Sequence, residues 1–158
     1  MSTATKSKTT MYAIIAIVII IVVAGALVAL YYKPASPVSG NNINIYAGEV
    51  SSSAYGFGNS ANSITSNPGP KISLTAGQTV TITLHNTGTM PHNFAIVDAK
   101  SSTASVLWGA QIRSASNPVN PGSTGSVTFT VGSAGSYYYI CQVDAHVALG
   151  MWGTVEVS

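Results

Sequence analysis

The sequence predicts an all-β domain, a β-sandwich or barrel, behind one apolar N-terminal segment. Three observations carry this. Short runs alternate apolar and polar residues with a period of two, the mark of half-buried strands. Clusters of Gly, Pro, Asn and Ser separate those runs at spacings typical of all-β architectures. No internal repeat and no amphipathic helix of useful length interrupts the pattern in the 158 residues.

The N-terminal segment comes first. Residues 11–30 (MYAIIAIVIIIVVAGALVAL) carry no charge, a run long enough to cross a bilayer as a helix. Tyr12, Tyr31 and Tyr32 stand at its ends, where amphipathic rings favour the interface. Lys6 and Lys8 precede it and Lys33 follows, which places the N-terminus in the cytoplasm. A cleaved signal peptide would have a shorter apolar stretch, about 7–15 residues. The expected organisation is a cytoplasmic segment over 1–10, a single-pass anchor in the cell membrane over 11–32 and a tether over 33–40. The tether (KPASPVSG) is rich in Pro and Ser and semi-rigid. An extracytoplasmic domain follows over 41–158.

Within that domain, residues 43–47 alternate, and residues 71–74 form a short run. Ala76, Gly77 and Gln78 then turn the chain into residues 79–84. There Val80, Ile82 and Leu84 share one face, with threonines on the other. Further strands are expected over residues 93–97, 127–131, 137–141 and 153–157. Two stretches give no clear signal. Residues 49–67 read as an irregular strand or loop, and residues 99–113, with Val106, Leu107 and Trp108, as a short helix or covering loop.

Charge is sparse. The chain has six Lys and Arg against four Asp and Glu, and the positive excess comes from the flanks of the apolar segment. The domain has no basic patch, so nucleic acid is excluded as a partner. Few carboxylates leave few handles for acid unfolding, which fits an acidic exterior such as an acidophile's surface. The single cysteine excludes an intrachain disulfide framework. An exported free thiol is a liability unless something occupies it; metal ligation would.

That cysteine opens the chemical constellation. Cys141, His146 and Met151 fall at even steps, Cys-x4-His-x4-Met, after a tyrosine-rich strand. Thiolate, imidazole and thioether suit a soft metal. One more histidine completes the His2Cys set with a weak axial Met that holds a mononuclear blue copper ion, cycling between Cu(II) and Cu(I). His85 ends a strand whose inward face is already apolar, so alternation turns it outward. His92 follows the turn at residues 86–88 and opens a strand, a position that holds an imidazole rigidly, and is the expected fourth ligand. Met90 competes with Met151 as the thioether, but it lies two residues from His92 and before Pro91, so it is placed at the rim.

The pair His92-Asn93 together with the Cys141, His146, Met151 loop resembles the cupredoxins, the small blue copper proteins. The run from Tyr137 to Val143, followed by His146, Gly150 and Met151, is similar to their rusticyanin- and sulfocyanin-like branch. The resemblance implies a Greek-key β-sandwich with copper near one end. It implies His92, Cys141 and His146 as strong ligands, Met151 as the axial one, and Asn93 as a residue fixing the ligand strands near the Cys141 sulfur. The chain departs at Asp144-Ala145, where that branch usually has Pro-Gly. An ionised Asp144 would favour Cu(II) and lower the potential.

Four protein ligands leave no open position for a substrate, so the reading is an electron carrier and not an enzyme. Its expected role is moving single electrons in a respiratory chain. Partners would be redox proteins such as cytochromes or a terminal oxidase, docking near His146 on an uncharged rim that includes Leu149 and Trp152. The alternative is a copper carrier or storage module without redox shuttling.

Overall fold

Alternation along residues 79–86 places Val80, Ile82 and Leu84 in the core and leaves the threonines toward solvent. The same alternation recurs over Ile72–Leu74 and Trp152–Val157. The computed structural model describes residues 36–158 and, before them, Tyr12, Ile15, Ile17 and Ile21. Those four are helical and exposed. The rest of the anchor expected over 11–32 lies outside the described residues, among which no helix is long and apolar enough to cross a membrane.

The strands are β1 (Val38–Ser39), β2 (Asn42–Ser51), β3 (Ala54–Gly58), β4 (Ile72–Leu74) and β5 (Thr79–Asn86). They continue with β6 (Phe94–Val97), β7 (Val106–Ile112), β8 (Thr124–Thr130), β9 (Gly135–Ile140) and β10 (Trp152–Val157). One sheet has the order β1-β4-β10-β9-β6-β7, the other β3-β2-β5-β8. Pairing is mostly antiparallel; β4 with β1 and β10, and β2 with β5, are parallel.

Between the sheets lies an apolar core. Ile43, Ile45, Val80, Ile82, Leu84 and Phe57 face Ile72, Phe94, Ile96, Ile112, Tyr139 and Val155. Each such side chain contributes about 1.5–3 kcal/mol by leaving water. Phe57, Phe94 and Tyr139 pack edge to face or stacked at centroid distances of 5.1–6.1 Å. The Tyr139 hydroxyl donates to the Pro70 carbonyl at 2.6 Å, satisfying the polar tip that burial would otherwise penalise.

One stretch differs from expectation. The stretch 99–113 holds no helix: its second half is β7, pairing with β6. Trp108 and Gly109 sit at positive φ, 56° and 67°, which breaks the alternation and hides the strand. Residues 49–67 contain the end of β2 and all of β3, a hairpin with a register shift between Glu49 and Ser51. And β1 falls within the tether expected over 33–40, paired to β4.

One consequence matters for function. β6 and β9 are antiparallel with Ala95 opposite Ile140, and β9 and β10 are antiparallel with Ile140 opposite Trp152. The start of β6, the end of β9 and the start of β10 therefore meet at one end of the sheet.

Candidate metal centre

Each candidate ligand sits beside one of those strand ends. His92 and Asn93 precede β6, Cys141 follows β9, and Met151 precedes β10. The loop from Cys141 to Met151 is closed by the Cys141 N–H donating to the Met151 carbonyl at 3.1 Å. Inside it, the His146 N–H donates to Val143 and the Met151 N–H to His146, at 3.1 and 2.9 Å. These turns aim the His146 ring back at Cys141.

The donor atoms converge. His92 Nδ1 lies 3.2 Å from His146 Nδ1. Cys141 Sγ is 3.5 Å from His146 Nδ1 and 4.0 Å from His92 Nδ1. All three residues are buried and form a group able to hold a metal ion. Metal bonds of about 2.0–2.3 Å to nitrogen and sulfur require edges of roughly 3.5–4 Å in a trigonal set, which the observed triangle approximates. Met151 is fully buried in the same core cluster as Cys141. Met90 is 41% exposed, on the rim where the sequence placed it. His85 points away from the core; its Nε2 meets Asn44 Oδ1 at 2.9 Å and its ring stacks on Tyr46.

Electrostatics fit a cation. Burial, reinforced by His146 and opposed by Glu49, pushes the His92 imidazole down to about 4. Burial also lowers His146, against the attraction of Asp144 and Glu49. The Cys141 thiol is pushed up to about 11, chiefly by burial, although the backbone N–H groups of Asn93 and Val143 favour the thiolate. A bound cation displaces protons from such imidazoles and stabilises the thiolate. His92 Nε2 is buried with no hydrogen-bond partner. Were Nδ1 to bind a metal ion, the ring proton would sit on Nε2.

Asn93 ties the two ligand strands together. Its N–H donates to Cys141 Sγ at 3.5 Å, and its Oδ1 accepts from the Gln142 N–H at 2.6 Å. Gln142 extends the brace: its Oε1 accepts from Gln111 at 2.8 Å, and its Nε2 donates to the Ala104 carbonyl at 3.2 Å. Asp144 is exposed at φ 42°, a conformation proline's fixed φ forbids. The turn here therefore differs from one built on Pro-Gly.

His146 is almost closed off from solvent. It is 4% exposed, because Tyr55 of β3 stacks on its ring at 4.1 Å. Sequence reasoning did not find Tyr55, Gln111, Gln142 or Glu49. Only Glu49 carried a signal, as one of just four carboxylates in the chain.

The family described as "Copper binding proteins, plastocyanin/azurin family" matches residues 57–158. Rusticyanin of Acidithiobacillus ferrooxidans is 34% identical over 95 residues, covering 56% of this chain and 61% of that protein. Auracyanin-A of Chloroflexus aurantiacus is 31% identical over 105 residues, covering 56% and 64%. The match thus spans less than two thirds of either relative. Among solved structures, reduced auracyanin of Roseiflexus castenholzii superposes with a TM-score of 0.53 at 23% identity, over 77% of this chain and 99% of that one. A multicopper oxidase gives 0.57 at 22% identity over 78% of this chain but 39% of its own, a likeness of fold alone. With a family match over most of the chain and a buried two-histidine, one-cysteine cluster inside the matched segment, this chain belongs to the copper-binding plastocyanin/azurin family.

Proposed function

We propose that this chain is a membrane-anchored, extracytoplasmic blue copper protein that carries single electrons between redox partners. The observation that carries the reading is the convergence of His92 Nδ1, His146 Nδ1 and Cys141 Sγ within one buried pocket. These three, with Met151 at the end of the same loop, would hold one copper ion, which supplies a one-electron Cu(II)/Cu(I) couple. The protein's part is to keep the donors fixed. Asn93 and Gln142 brace the ligand strands, and burial excludes water from the cluster. A donor set that does not rearrange suits both oxidation states.

The surroundings support docking at this end. Among residues 36–158, the exposed large hydrophobics are Val50, Met90 and Leu149. Val50 adjoins Glu49, Met90 lies on the His92 loop and Leu149 on the ligand loop. An apolar rim of this kind suits brief encounters with cytochromes or a terminal oxidase. The uncharged run over 11–30 supports anchoring in a membrane.

The decisive experiment adds Cu(II) to the purified full-length chain. An intense thiolate-to-copper absorption band and reversible one-electron reduction are expected. Cys141→Ser abolishes the band. A colourless protein would sink the reading, and copper released at each reduction would favour the carrier or storage role. Recovery of the protein from membranes, lost on deleting residues 11–32, tests the anchor.

A further inference from the structure

The hairpin of β2 and β3 reaches the metal end, and two of its residues touch different ligand loops. Glu49 and Tyr55 are directly opposite each other in the register. From Glu49, the carboxylate accepts the Thr89 N–H at 3.0 Å, the Met90 N–H at 2.9 Å and the Thr89 hydroxyl at 3.2 Å. Those donors lie just before His92. Gly88 keeps the approach open: a Cβ there would come within 2.8 Å of Gly48 Cα and strike the carboxylate. From Tyr55, the ring stacks on His146 at 4.1 Å and meets the His92 ring edge-on at 5.8 Å. The Tyr55 N–H also donates to the Leu149 carbonyl at 3.2 Å, pinning the loop that carries His146 and Met151.

Resting on the copper reading above, we infer that this hairpin is the third wall of the metal centre. Glu49 and Tyr55 are positioning residues: Glu49 sets the His92 loop and Tyr55 the His146 loop. One hairpin thereby fixes the spacing between two histidines that are 54 residues apart in sequence. Glu49 has a second effect. Its carboxylate is bonded to the Met90 N–H, two residues before His92, and a negative charge held there stabilises a doubly charged ion more than a singly charged one. Glu49 therefore biases the centre toward its oxidised form. Two backbone N–H groups and a hydroxyl hold this carboxylate in place, so this bias does not depend on a mobile side chain.

The test uses the full-length chain with Glu49→Gln, Glu49→Ala, Tyr55→Phe and Tyr55→Leu. Glu156→Gln is the control, since Glu156 bonds Ser136 on the β9–β10 ladder. In the metal-free protein, amide exchange at Thr89 and Met90 accelerates roughly tenfold or more in Glu49→Ala, the loss expected for charged hydrogen bonds. It is unchanged in Glu156→Gln. In the copper-loaded protein, the reduction potential rises in both Glu49 variants and not in the control. Tyr55→Leu speeds transfer of Cu(I) to a chelator by about 2- to 10-fold, the range of one aromatic pair, and Tyr55→Phe restores the parental rate. Unchanged exchange in Glu49→Ala, a potential indifferent to Glu49, or equal copper loss in Tyr55→Leu and the parent would each overturn the inference. If the parent itself shows no thiolate-to-copper band, the copper reading fails first and this inference falls with it.

Discussion

Acid should destabilise the metal-free protein over a window set by His92. Its imidazole is held at about 4 in the fold, against 6.5 for the free side chain, because protonation would bury a charge beside His146. A depressed folded value means that the unfolded chain binds more protons between those limits. Stability is therefore full above about 6.5 and falls as pH drops toward about 4. At 1.36 kcal/mol per pH unit, the gap is worth about 3 kcal/mol, or roughly 10 °C in Tm for a domain of this size. His146 is lowered as well and adds in the same direction. Glu49, held below the usual carboxylate range by its backbone hydrogen bonds despite burial, contributes only at lower pH. The assay is chemical denaturation of the apoprotein at pH 7, 5.5 and 4, repeated with copper bound and with His92→Gln. Copper should raise stability but steepen the profile, since the liganded imidazoles and thiolate give up protons that the unfolded chain takes back, and His92→Gln should remove most of the apoprotein's slope. A flat apoprotein profile, or an equal slope in His92→Gln, would refute the reasoning.

Three further outcomes are expected. His85→Ala keeps the thiolate-to-copper band, because that ring contacts Asn44 and Tyr46 rather than the donor cluster; a bleached protein would show that His85 is a ligand. Tyr139→Phe costs about 1–2 kcal/mol in denaturant unfolding, since it leaves the buried Pro70 carbonyl without its donor. Asn93→Ala costs about 1–3 kcal/mol by the same argument, applied to the Gln142 N–H it strands, and moves the absorption band, which an effect confined to the core would leave in place.

Much of the site was legible because its information is local. Strand parity separates His85 from His92, since a period of two decides which side chains face the core. The even spacing of Cys141, His146 and Met151 encloses a loop short enough to start and end on neighbouring antiparallel strands. β7 was illegible for an equally local reason: Trp108 and Gly109 at positive φ interrupt its alternation. The hairpin residues were hidden differently. Nothing near Glu49 or Tyr55 in sequence announces a partner, because their partners lie at Thr89, Met90, His146 and Leu149.

By itself, then, the sequence determined the all-β class, the absence of an intrachain disulfide and the four candidate ligands. Each follows from composition or from a periodicity read over a few residues. Only the tertiary structure decided that His146 is covered rather than exposed, and that the β2–β3 hairpin brackets the centre. Those depend on which strand ends the two sheets bring together, and strand pairing between distant segments is fixed by the whole core at once.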